Sequence, residues 1–265
     1  MRNQVIFPLI CLLLFVSCKQ TSKKEINQEI VNEEPLTKTS DTILANQKWM
    51  QAINTKNIDL LSSLYTENAM VLSENGVDLA SRKEILELVP NSDFVVQSVS
   101  TIKKIQANEN YDYEIGSFIN KDGGLAKHLI IWKTNNGDDK RELEFITVAS
   151  KTQINLSEID EQRNKWIELC NAHNAKSLIE NIYSENTMYY NRGRLLTGRK
   201  DLVAEYNYMN NPQYKLTLNP ILVEPVSESI VYEFGQCVGS YNGKYILVWQ
   251  KNEDGIWQVL FDSNI

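Results

Sequence analysis

Asn242-Gly243-Lys244-Tyr245-Ile246-Leu247-Val248-Trp249-Gln250-Lys251-Asn252-Glu253-Asp254-Gly255-Ile256-Trp257-Gln258-Val259 reads as one strand framed by two tight turns, with a second strand beginning. Asn-Gly and Asp-Gly reach the positive φ angles that two-residue hairpins need, and apolar and aromatic residues fill the run between them. Working backward, Tyr214 to Val223 and Ser229 to Ser240 are further strand-like runs, and Ile256 to Ser263 closes the series. Upstream, Ile159, Arg163, Trp166, Cys170 and His173 recur at helical spacing, with Ile167 and Leu169 widening the stripe. Asn174-Ala175 breaks that helix. A short second helix carries Leu178, Ile179 and Ile182, and a strand from Thr187 to Asn191 runs into a Gly193 turn. A third helix runs from Gly198 to about Tyr208, where Asn210-Asn211-Pro212 stops it.

The same plan occurs twice. Trp49 and Trp166 lie 117 positions apart, and each leads a helical block. Tyr65-Thr66-Glu67-Asn68 matches Tyr183-Ser184-Glu185-Asn186, and Ser81-Arg82-Lys83 matches Gly198-Arg199-Lys200. Tyr113-Glu114-Ile115-Gly116 matches Tyr232-Glu233-Phe234-Gly235, and Ile131-Trp132 matches Val248-Trp249. Asp122-Gly123-Gly124 and Asn136-Gly137 supply the turns of the first copy. A period this long is duplication of a whole domain rather than a solenoid. Helices followed by an antiparallel meander make an α+β plan. A twisted sheet curled around helices leaves a cone-shaped cavity, the expected place for a ligand.

These residues resemble the small NTF2-like domains, in their SnoaL-like and DUF4440-like branches related to polyketide cyclases and ketosteroid isomerase. The marks are Trp249 in the third strand, Asp254-Gly255, Trp257 opening the last strand, and Asp262 and Asn264 near the end, together with Trp166, Tyr183-x-Glu185-Asn186 and Gly198-Arg199. The resemblance covers nearly all of the second copy. It is fainter in the first, where Leu143 stands for the Trp, Ser81 for the Gly, and the closing Asp/Asn pair is missing. It implies two tandem cone domains, each with N-terminal helices packed on a curved antiparallel sheet. It also implies that such domains pair through the outer faces of their sheets, here as an internal pseudo-dimer. The fold hosts enzymes, binders and association modules alike.

The N-terminus carries an address. Met1-Arg2-Asn3-Gln4 precedes an apolar run from Val5 to Val16, too short for a membrane span of about 20 residues and suited to a secretory signal. Phe15-Val16-Ser17-Cys18 resembles a bacterial lipobox, which makes Cys18 the lipidated residue of an envelope protein facing the periplasm. Polar residues from 19 to 40 form an expected disordered tether. The expected divisions are therefore signal 1–18, tether 19–40, domain 41–152 and domain 155–265. A net charge of −7 argues against nucleic acid, which needs a basic surface. Two histidines make a zinc centre improbable, and neither a phosphate loop nor any cofactor signature is present. Cys170 and Cys237 are read as small buried side chains, with a disulfide as the alternative.

Chemistry of the ketosteroid isomerase kind needs a carboxylate base in an apolar pocket and a Tyr or neutral acid for the enolate. The candidate pocket set is Trp166, His173, Tyr183, Tyr190, Trp257 and Asp262. Each has a plain alternative. Glu233 and Glu114 alternate with apolar neighbours and are expected to face water or a subunit. Tyr183 and Tyr65 are expected to pack with the hydroxyl at a rim, and Asp262 to solvate a sheet edge. His128 aligns with Tyr245 as a flat packing ring, and His173 aligns with Lys56 as a cation at a helix C-terminus. No catalytic residue is assigned. The expected function is a membrane-anchored binding or scaffold protein for a small apolar or aromatic ligand, with an isomerase, cyclase or hydratase in domain 2 as the alternative.

Overall fold

The computed structural model describes residues 37–74, 80–135, 138–151 and 153–265. The expected signal, Cys18, most of the tether and the Asn136-Gly137 turn lie outside the described residues. Copy 1 runs α1 (Thr37–Thr55), α2 (Ile58–Ser63), β1 (Tyr65–Ser73), β2 (Ala80–Ser81), α3 (Arg82–Asn91), β3 (Val96–Gln106), β4 (Tyr111–Asn120), β5 (Leu125–Asn135) and β6 (Asp138–Val148). Copy 2 repeats it as α4 (Ser157–Asn171), α5 (Ala175–Ile182), β7 (Tyr183–Asn191), β8 (Arg194–Thr197), α6 (Arg199–Glu205), β9 (Leu216–Pro225), β10 (Ile230–Gly239), β11 (Lys244–Lys251) and β12 (Trp257–Ser263). A 3-10 turn, Tyr206–Asn210, follows α6. Helix α1 starts four residues inside the stretch expected as tether.

Local chemistry sets the boundaries. Asn57 and Asn174 cap α2 and α5 by accepting from Leu60 and Ser177 backbone N–H groups. Ser81 and Glu84 form a capping box on α3. In α4, buried Ile159, Arg163, Trp166 and Cys170 keep the predicted stripe. The turn after the helix holds His173, whose φ of 59° matches the 52° of Lys56 just after α1.

Each sheet has six strands, ordered β2-β1-β6-β5-β4-β3 and β8-β7-β12-β11-β10-β9. The expectation of a purely antiparallel sheet is corrected at one pair per copy: β1 runs parallel to β6, and β7 to β12. The first strand of each copy enters from the helices and lies beside the last, which fixes its direction. β7 begins at Tyr183, ahead of the expected Thr187, and pairs with β8, which sequence reading missed.

One face of each sheet holds its own helices. The other faces meet in a core shared by both copies, including Tyr113, Ile131 and Phe145 from the first and Tyr232, Phe261 and Ile265 from the second. The Phe145 ring meets Tyr232 edge-on at 6.0 Å, an aromatic pairing worth about 1 kcal/mol beyond area burial. Across the same seam Tyr190 Oη donates to Glu142 Oε1 at 2.6 Å, and the Ile265 N–H donates to Tyr113 Oη at 3.0 Å. Two covered faces explain why β4 and β10 are buried almost residue after residue. No helix of the described residues is long and apolar enough to cross a membrane.

Candidate functional site

In the cone of copy 2, Glu233 is fully buried and satisfied four times. Arg163 donates from Nε to Oε1 at 2.6 Å and from Nη2 to Oε2 at 2.8 Å. Tyr245 Oη donates to Oε1 at 2.7 Å and Trp249 Nε1 to Oε2 at 2.9 Å. Gly235 permits this approach, since a Cβ there would stand 2.5 Å from Tyr245 Oη. Such a paired acid is structural, because both lone-pair sets are used and its cation is bidentate. The expectation that Glu233 and Glu114 face water or a subunit is thus overturned. On these strands the apolar neighbours face the other copy, and the acid faces the helices.

A second node lies deeper along β12. Trp166 Nε1 donates to Tyr183 Oη at 2.8 Å, and Tyr183 Oη donates to Asp262 Oδ2 at 2.6 Å. Tyr206 Oη donates to the same oxygen at 2.5 Å, and no hydrogen bond among the described residues reaches Oδ1. Burial pushes the Asp262 carboxyl up to about 6, against the pull of the two hydroxyl donors. Burial and the adjacent Asp262 also push Tyr183 and Tyr206 well above the ordinary tyrosine range, so both stay protonated donors. Asp262 therefore does not solvate a sheet edge, and the Tyr183 hydroxyl lies in the core rather than at a rim. Beside this node is a cavity of about 10 Å³ lined by Trp166, Tyr206, Met209, Cys237, Tyr245 and Asp262 among others, room for a single water.

Three of the six candidate pocket residues, Trp166, Tyr183 and Asp262, thus share one hydrogen-bonded chain. Tyr190 turns instead into the seam between copies, to Glu142. Trp257 is buried and donates to Glu158 Oε2 at 2.8 Å, with the Lys251 ammonium over its ring. His173 sits at the turn after α4, half-buried, and no hydrogen bond joins its ring to Asp262. Cys170 and Cys237 are free and buried, and burial pushes each thiol up to about 12, which leaves them poor nucleophiles. Among the described residues no group of three or more His, Cys, Asp or Glu is placed to hold a metal ion.

Sheet register gives the counterparts in copy 1. Leu247 faces Asp262, and Ile130, 117 positions earlier, faces Glu144. The carboxylate that the first copy was expected to lack is therefore present as Glu144. By the same register Trp257 corresponds to Asp139, and Leu143 corresponds to Phe261; the expected match of Leu143 with the Trp is corrected. The environment differs sharply. Arg141, where copy 2 has Val259, places Nη1 2.5 Å from Glu144 Oε1 and stacks its guanidinium 4.4 Å from the Trp49 ring centre. His128 Nδ1 lies 2.7 Å from the same oxygen. Burial alone would raise Glu144, but Arg141 and His128 hold it down at about 2. Glu114 accepts from Asn46, Thr101 and Trp132 in place of an arginine.

Sequence reading missed Arg141, Glu144 and Tyr206, and gave Arg163 only a place in the stripe. One signal was available: a charged residue inside an otherwise apolar helical stripe needs a buried partner.

Neither a protein-family model nor a curated protein matches the sequence. Solved structures do match in shape. An NTF2-like protein from Cytophaga hutchinsonii aligns at 12% identity and a TM-score of 0.38, over 43% of this chain and 99% of its own. An NTF-2 like protein of unknown function from Shewanella oneidensis aligns at 16% identity and 0.35, over 40% and 95%. A hexachlorocyclohexane dehydrochlorinase aligns at 11% identity and 0.33, over 44% and 93%. Each alignment spans less than half of this chain and more than nine-tenths of the other. Two α+β units, each a six-stranded mixed sheet with its own helices, make up residues 37–265 as described.

Proposed function

We propose that this is an exported, lipid-anchored envelope protein whose second copy receives a small, mainly apolar or aromatic ligand at Asp262, while the first copy serves as its paired support. The observation that carries the ligand reading is Asp262 itself: a buried carboxyl that meets no cation among the described residues, with one oxygen that none of them hydrogen-bonds, on the wall of an apolar cavity. Burying such a group costs stability, and a merely structural core gains by pairing it, as copy 1 does. The lipid anchor at Cys18 and the periplasmic location rest on the sequence alone. Ligand entry requires the Tyr206–Asn210 turn, which carries Tyr206 and Met209, to move aside, because ligand pockets usually measure about 300–1,000 Å³.

An enzymatic reading is favoured by one feature. Asp262, with its carboxyl near 6, and the Tyr183 and Tyr206 hydroxyls combine a general base with hydrogen-bond donors, the materials of proton transfer beside a carbonyl. A scaffold reading is favoured by the small cavity. Native mass spectrometry of the purified protein separates these readings. The ligand reading expects an added mass on the wild-type chain that is lost from Cys237→Phe, which installs the residue found at the same register in copy 1, Phe118. A bare mass for both proteins removes the ligand reading and leaves the scaffold.

A further inference from the structure

Copy 1 carries a polar cleft of about 530 Å³ where β1 and β6 separate, outside the cone and distinct from the Asp262 site. Its floor is Glu142, a residue only 2% exposed. Glu142 Oε1 accepts from Tyr190 Oη at 2.6 Å, but Oε2 is buried and receives no hydrogen bond from any described residue. Arg82 lines the same cleft. Its Nη2 donates to Ser62, whereas its Nε–H is buried and meets no acceptor among the described residues. Thr66 also lines the cleft, and its Oγ1 is a third buried atom without a hydrogen bond among the described residues. Buried polar atoms left unsatisfied cost about 1–3 kcal/mol each, so three in one cleft call for an occupant.

The other copy shows that the fold does not require these groups. Glu142 lies in the bulge of β6; the residue in the matching bulge of β12 is Leu260, fully buried among apolar side chains. Arg82 corresponds to Arg199, which spends both Nε and Nη2 on the Tyr183 carbonyl at 2.8 and 2.6 Å. Copy 1 has thus gained a carboxylate acceptor and released a guanidinium donor within one cleft. Lys133, whose Nζ stands 3.9 Å from Glu142 Oε1, and Lys140 add positive charge to its lining, and Asp59 and Glu67 add negative charge. A simple anion or cation would meet repulsion from one half of this set.

We propose that the cleft binds a small zwitterion, whose ammonium group donates to Glu142 Oε2 and whose carboxylate accepts from Arg82 Nε and the neighbouring lysines. Amino acids and short peptides have this chemistry.

Calorimetric titration of the whole protein with glycylglycine tests it, with ammonium chloride and sodium acetate as the separate halves. Saturable binding of the dipeptide, with each half at least about tenfold weaker, is the expected result. Glu142→Gln keeps the acceptor for Tyr190 and removes the charge, and weakens dipeptide binding at least about tenfold. Should that variant fail to fold, Arg82→Lys, which keeps a charge but loses the Nε donor, reads the other end with the same expectation. Three outcomes overturn the proposal: no saturable heat with the dipeptide, binding of ammonium or acetate alone as tight as the dipeptide, or dipeptide binding unchanged in the variants. The first means that the three atoms are satisfied by water.

Discussion

Glu144 and Asp262 occupy the same register of two copies of one sheet, and their surroundings push them in opposite directions. In copy 1 the guanidinium of Arg141 and the ring of His128 hold Glu144 as an ion. In copy 2 two tyrosine hydroxyls face Asp262, and no cation of the described residues pairs with it. The acids keep their places, and the arginine has moved between them. Copy 2 places Arg163 on the helix against Glu233, while copy 1 has Asn46 at that helix position and its arginine on the strand. One backbone therefore accommodates a neutralised core and a strained one. The strained core is the one with a cavity beside its acid.

The firmest way to break this comparison is to give copy 1 the residue of copy 2. Arg141→Val leaves Glu144 buried beside His128 without its guanidinium, and removing one partner of a buried pair costs about 3–5 kcal/mol. Urea unfolding at neutral pH measures it. A loss below about 1 kcal/mol would mean that His128 alone holds Glu144 and that the contrast with Asp262 is not one of charge.

The two carboxyls also impose opposite pH dependence. Glu144, held at about 2 against 4.5 for a free group, contributes stability that is present above 4.5 and is lost as pH falls toward 2. Asp262, raised from 3.8 to about 6, contributes stability that is full below 3.8 and is lost as pH rises through 6. At about 1.4 kcal/mol per unit, each effect is about 3 kcal/mol. Melting temperatures from pH 2 to 8 resolve them. Asp262→Asn flattens the decline between 4 and 6, and Glu144→Gln flattens the loss below 4.5. A slope between 4 and 6 that survives Asp262→Asn assigns that titration to another group.

What the sequence disclosed and what it hid follow from range of interaction. Hairpin turns and helix stripes depend on neighbours within a few positions, so the expected bounds of β9 to β12 lie within about two residues of the observed ones, whereas β7 begins four residues early and β8 leaves no such pattern. The Glu233 partnership spans 70 positions, and that of Tyr183 with Asp262 spans 79. Neither distance leaves a local trace. The second covered face of each sheet was also invisible in β10, where alternation of Tyr232, Glu233 and Phe234 reads equally as acid-out or acid-in. Only the packing of the other copy on the aromatic side decides. The last hairpin hid the rest: Lys251 to Trp257 spans one position more than Thr134 to Asp139, so the offset of 117 becomes 118 and Glu144 escaped comparison with Asp262.

The smallest effect tests whether the copies differ in their side chains alone. Lys56 and His173 end the first helix of each copy with φ of 52° and 59°, a region that costs a non-glycine residue about 1 kcal/mol. Replacing either with Gly removes that strain, partly offset by the greater freedom of Gly in the unfolded chain. His173→Gly is expected to raise stability by about 0.5 kcal/mol. Lys56→Gly gains less, because it also loses the bond from Lys56 Nζ to the Pro90 carbonyl at 3.0 Å. Melting temperatures of the two variants check the order. If His173→Gly instead destabilises by more than about 1 kcal/mol, the imidazole has a partner in copy 2 that its backbone role does not explain, and His173 returns to the set of residues acting with Asp262.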